Sequence, residues 1–168
     1  MEKPTEMDSH KSEEYVQPHV HVVSLFSLVG MSITAVMAII GLFNHNTVLS
    51  IVLLFASVIY FIGYYASKKL QNIALSSAIV LYSLYLLMFY LVCSGGVENT
   101  GPLWIYIVAP VSVFVHGLKR GLVDIAIFVA IISMIMFLPP DVIAQATYSI
   151  EFKLRLLYSF LTVTFLSA

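Results

Sequence analysis

From Val22 onward the chain is a series of long apolar runs separated by short polar connections. The runs show no period-two alternation, so they read as helices and not as barrel strands. A helix needs roughly 20 apolar residues, within about 17–25, to cross a bilayer. Five runs approach that length and a sixth begins: 22–43, 47–66, 73–93, 103–118, 122–138 and 154–168. The fourth is short and carries Pro110, and the fifth ends at Pro139 and Pro140. The pattern predicts an all-α membrane protein in which a bundle of six transmembrane helices occupies 18–168. Residues 1–17, MEKPTEMDSHKSEEYVQ, are polar, rich in charge and without apolar period, the composition of a disordered tail. They are too long and acidic for a signal-peptide n-region, and no small-residue cleavage site follows.

Composition agrees with lipid as the main solvent. The 168 residues are 60% hydrophobic and 10% charged, with mean hydropathy +0.97, whereas a soluble domain is about a quarter charged. A chain of this size still exposes much of its surface, so the apolar excess must face lipid. The net charge of -1 comes with no basic patch for nucleic acid. The single cysteine, Cys93, can form no internal disulfide and reads as a packing residue.

The connections alternate in charge. Asn44-His45-Asn46 is neutral, Lys68-Lys69 is basic, the segment after Cys93 is acidic, and Lys119-Arg120 is basic. Positive charges gather on the cytoplasmic side, which puts Lys68, Lys69, Lys119, Arg120 and the N-terminal tail inside. Lys153 and Arg155 run against this assignment, and Glu151 partly offsets them. From Leu156 to Ala168 a helix rises about 20 Å at ~1.5 Å per residue, less than the hydrocarbon core of about 30 Å. The polypeptide is therefore expected to continue past Ala168 into the cytoplasm, both termini being cytoplasmic, and to carry an output domain there.

Ser94-Gly95-Gly96-Val97-Glu98-Asn99-Thr100-Gly101-Pro102-Leu103-Trp104 is the most polar stretch between two apolar runs and holds the only charge between Lys69 and Lys119. Two readings stand side by side. In the first it only ends one helix and starts another: Gly95-Gly96 as a C-terminal stop, Asn99 or Thr100 as a cap, Glu98 near the positive end of the helix dipole, Pro102 in the first turn, and Trp104 and Tyr106 in the aromatic belt. In the second it roofs a cavity at the outer mouth of the bundle. Glu98, Asn99, Thr100, Trp104 and Tyr106 would then form a small-molecule site, mostly apolar with a few fixed polar groups. Tyr82, Tyr85, Phe89 and Tyr90 lie along the outer half of the third run and either line that space or face lipid.

The run SGGVENTGPLWIYIVAP followed by HGLKRGL resembles the membrane-associated sensor (MASE-type) domains at the N-termini of bacterial diguanylate cyclases. The matching residues are Gly95-Gly96-Val97, Thr100-Gly101-Pro102-Leu103-Trp104 and Gly117-Leu118-Lys119-Arg120-Gly121-Leu122. The chain departs from the family pattern at Ser94, where threonine is expected, and at His116, where a plain apolar residue is expected. The resemblance implies a bacterial inner-membrane sensory module, homodimeric, detecting an unknown small-molecule or membrane signal. It would regulate a C-terminal GGDEF domain that makes cyclic di-GMP from GTP with magnesium. This chain itself has no phosphate loop, no GGDEF string and no acidic metal pair, so no catalysis or cofactor is expected of it. The alternatives are the input domain of a sensor histidine kinase, a small transporter or channel subunit, and a membrane assembly factor.

Asp124 is the only carboxylate inside a run. Arg120, four residues earlier, is placed to pair with it, and with Lys119 the three residues form an expected interfacial anchor. An ionisable group in a span also raises functional suspicion. His116 is a weak metal candidate, and no metal site is expected. The serines within the runs read as small packing residues, and no broken-helix repeat of the transporter kind is seen.

Overall fold

A computed structural model describes the backbone of residues 6–69, 73–138 and 146–168, with side chains from His21 onward apart from Ile73. Five α-helices follow one another: α1 (Glu6–Phe43), α2 (Thr47–Lys68), α3 (Ile73–Ser94), α4 (Val108–Phe137) and α5 (Ile150–Ser167). Two 3₁₀ segments, Val97–Asn99 and Gly101–Ile107, stand between α3 and α4. No strand occurs among the described residues. Four stretches are long and apolar enough to cross a membrane: His21–Phe43, Thr47–Lys68, Ala74–Ser94 and Gly101–Phe137. The chain is a multi-pass, all-helical membrane protein. Residues 6–17, read from the sequence as disordered, have helical backbone continuous with α1. Extending a helix that already exists needs no new nucleus, and Glu, Met and Lys propagate helices well.

The buried positions mix apolar residues such as Leu81, Ile105 and Phe160 with hydroxyls: Ser27, Ser50, Ser76 and Ser112 are fully buried, while Phe43, Phe55 and Phe165 are 80%, 68% and 82% exposed. Large apolar side chains exposed beside buried serines suit helices bathed in lipid, which associate through small residues and backbone-directed hydroxyls.

The chain forms two compact units, Met1–Val80 and Leu81–Ala168. In the first, α1 and α2 form a helical hairpin. Asn46 caps α2 by accepting the Leu49 amide, and His45 takes the positive φ of the turn. Gly30 lies against the Tyr60 ring, and a methyl group on Gly41 would come within 2.5 Å of Ser50 Oγ. Ser57 Oγ donates across the hairpin to the Met31 carbonyl. The start of α3 joins through Ser76 Oγ, which donates to the Gly63 carbonyl at 2.7 Å.

In the second unit α4 is not straight. Gly117 has φ 73 and ψ 171, a region open essentially to glycine alone. A methyl group on Gly121 would lie 2.8 Å from the Ser112 carbonyl oxygen, although nine residues of straight helix rise about 13 Å. Tyr85 confirms the fold-back, since its hydroxyl bonds Ser112 and its ring stacks on Phe128. The chain thus reverses at a single residue, and the helix resumes through Leu118–Gly121. The connection expected over Lys119-Arg120 is helical, because one glycine in that conformation turns the chain without a loop. Phe128 is the hub of this unit, with Tyr85, Phe89 and Phe160 against it at ring-centroid distances of 5.3, 5.2 and 6.1 Å.

Candidate functional site

The polar segment between α3 and α4 is a knot of backbone built on glycine. Gly95 and Gly96 have positive φ, and so do Glu98 and Asn99. The Gly101 amide donates back to the Gly95 carbonyl at 2.8 Å. A methyl group on Gly101 would stand 2.6 Å from the Leu91 carbonyl oxygen and 2.8 Å from that of Gly95. Gly96 is nearly as confined, its added carbon falling 3.0 Å from Gly101 Cα. Backbone must pass over backbone here, and only glycine leaves room.

The expected caps are corrected. Thr100 precedes the 3₁₀ segment but makes no side-chain cap. Its Oγ1 instead donates to the Val97 carbonyl at 2.7 Å, and its amide donates to the same oxygen at 3.0 Å. Its αR backbone, φ -88 and ψ -6, differs from the β-region dihedrals typical of a capping residue. Asn99 Oδ1 turns toward Gly95, where it would meet an added methyl at 2.4 Å. Pro102 sits in the first turn as expected.

The five predicted ligand-binding residues do not converge. Glu98, Asn99 and Thr100 are exposed, while Trp104 and Tyr106 are half-buried in the following 3₁₀ turn. The Tyr106 hydroxyl is engaged by Ser159 Oγ of α5, and its ring lies 6.3 Å from that of Phe160. Tyr85 and Phe89 pack on Phe128 and contribute to the core; Tyr82 is 57% exposed.

The described cleft of this end lies beside the loop. It holds about 100 Å³ and is lined by Val92, Met136, Leu138, Ala146, Tyr148 and Lys153 among others. The segment Ala146–Ser149 closes the end of α3: the Ala146 amide donates to the Cys93 carbonyl at 3.2 Å, and the Tyr148 hydroxyl donates to the Val92 carbonyl at 2.8 Å. Burial pushes the Tyr148 phenol up to about 12, with Cys93 adding to the shift. The Lys153 ammonium lies 5.5 Å from the centre of the Phe137 ring. Lys153 stood out in the sequence only for its charge on the outer side, and Ala146 and Tyr148 did not stand out; a tyrosine beside the start of the last apolar run was the available signal.

At the Gly117 end the expected anchor is rearranged. Asp124 does not pair with Arg120. Its Oδ2 contacts Nδ1 of His116 across the chain reversal. Lys119 and Arg120 are exposed, with no ion pair among the described residues. The (i, i+4) spacing permits the arginine, but the reversal brings the imidazole to the same carboxylate. His116 and Asp124 are two groups only; among the described residues no cluster of three metal-ligating side chains forms. The chain matches no protein-family profile, no curated protein and no solved structure.

Proposed function

We propose that this chain is a membrane sensory input module, of the kind that regulates a cytoplasmic diguanylate cyclase domain following Ala168 in a bacterial inner membrane. One observation carries the reading. The two segments that resemble the sensor domains, SGGVENTGPLW and HGLKRGL, coincide with two chain reversals of one unit, and each reversal depends on a glycine of the resembling string.

In this reading the chain crosses the bilayer six times, with the two arms of α4 counted separately and Lys68, Lys69, Lys119 and Arg120 on the cytoplasmic side. A signal acts by differential affinity for two helix arrangements, and α5 carries the change toward the output domain of a homodimer. The residues of this chain do not suit GTP or magnesium, so cyclase chemistry belongs to that domain. The test is the natural full-length protein in lipid nanodiscs with GTP and Mg²⁺. Cyclic di-GMP should form, and disrupting the loop with Gly101→Ala should change its rate. A reading frame that stops near Ala168, or a full-length protein that makes no cyclic di-GMP, overturns the proposal.

A further inference from the structure

Asp124 is the only carboxylate of α4, and two cationic side chains can reach it by different routes. Arg120 lies one turn earlier on the same arm, at a spacing that puts two side chains on one face. His116 is the last residue before Gly117 and meets Asp124 only because the chain reverses. The structure uses the second route, leaving Arg120 exposed. The His116 and Asp124 side chains are 28% and 30% exposed, so salt screens their attraction less than that of a surface pair.

The two cations differ in one respect. A guanidinium stays charged at every accessible pH, whereas histidine is the side chain that ordinarily changes charge between about pH 5 and 8. A neutral imidazole can still donate an N–H to the carboxylate but loses the attraction of a full positive charge, and then competes with an arginine that pairs as charge with charge. We propose that Asp124 is a two-position switch. With His116 protonated, Asp124 clasps the two arms of α4 across the Gly117 reversal; with His116 neutral, it passes to Arg120 on its own arm and frees the arms to hinge.

The surroundings permit this. Nothing lies within 4 Å of a carbon added at Gly117, although Gly121 packs closely on Ser112 beyond it, so any opening swings the far ends of the arms about that contact. Tyr85 and Tyr82 of α3 are the titratable groups on that side, and the Tyr85 hydroxyl is engaged by Ser112. Lys119 is exposed. The 3₁₀ segment Gly101–Ile107 brings only Tyr106, held by Ser159. The charges of α5, Glu151, Lys153 and Arg155, lie in its first turns, and Lys153 sits by Phe137 at the far end of α4.

Spin labels at Leu103→Cys and Met134→Cys, in a Cys93→Ser background, report the separation of the arms where a hinge at Gly117 moves them most. Both positions are exposed, at 47% and 67%. In nanodiscs the distance distribution should be single and narrow at pH 5 and gain a second population at pH 8. Asp124→Asn should remove the difference between the two conditions. His116→Lys, cationic at both, should keep the narrow distribution at pH 8. Arg120→Gln should shrink the second population at pH 8 by removing the alternative partner. A parent distribution identical at pH 5 and pH 8 overturns the proposal. So does a second population in His116→Lys, or an Arg120→Gln protein that responds as the parent does. These readouts need no output domain, so they stand or fall apart from the sensory reading.

Discussion

Among the described residues the second unit turns its chain back on glycine at two places, and glycine serves a different purpose at each. Between α3 and α4 the backbone of residues 95–101 crosses over itself, and added carbon atoms at Gly95, Gly96 and Gly101 would all meet neighbours at 3.0 Å or less. At Gly117 an added carbon would meet nothing within 4 Å, and the residue is glycine for its dihedral angles. The first reversal is a packed structural knot; the second is open at Gly117 itself, and its arms are joined by the close backbone contact at Gly121, by Tyr85 and by the His116–Asp124 pair. A packed reversal resists change, whereas an open one can respond to it.

The comparison breaks most directly at Gly101. Gly101→Ala forces a methyl group onto two carbonyl oxygens that cannot rotate away. It should destabilise the protein by about 3 kcal/mol, the upper end of the usual cost of overpacking, read as a lowered thermal midpoint in detergent. Trp104 is the only tryptophan and lies half-buried just beyond the knot, so its emission should shift to the red as well. Gly117→Ala meets no steric opposition and should cost only its backbone strain, about 1–2 kcal/mol, with Trp104 emission unchanged. If the two variants lose equal stability and both shift Trp104, the distinction between knot and hinge is wrong.

The sequence made one of these reversals more legible than the other. Gly95-Gly96 after an apolar run announces a helix end, and Pro102 announces a start. Lys119-Arg120 announces a boundary of some kind. What local reasoning could not supply is the crossing of Gly101 over Gly95, because it depends on two chain segments occupying the same space. The partner of Asp124 was missed for a related cause. Arg120 is visible by helical spacing, while His116 becomes a neighbour only after Gly117 folds the second arm against the first. The first three runs coincide with helices of spanning length, His21–Phe43, Thr47–Lys68 and Ala74–Ser94, while the fourth and fifth fall within the single stretch Gly101–Phe137. In residues 6–17 charge argued for disorder, and the backbone continues α1. For the candidate ligand residues, belonging to one loop did not mean facing one space: Thr100 bonds back to its own loop and Tyr106 is held by α5.

Tyr148 gives the smallest effect and tests how firmly the knot end is closed. Its hydroxyl donates to the Val92 carbonyl, and its ring stacks on Phe152 at 5.4 Å, so the linker before α5 seals the end of α3. Tyr148→Phe keeps the stacking and removes the hydrogen bond, which should cost about 1 kcal/mol. The pH dependence has a definite sign. The phenol ionises near 10.0 when unfolded and at about 12 in place, so the folded protein holds this proton more tightly. Its contribution is complete below pH 10 and is lost as the pH rises toward 12. The stability gap between the parent and Tyr148→Phe should therefore be constant from pH 7 to 9 and close between pH 10 and 12. A gap that persists unchanged to pH 12 would mean that the hydroxyl is open to solvent and that the linker does not seal this end of α3.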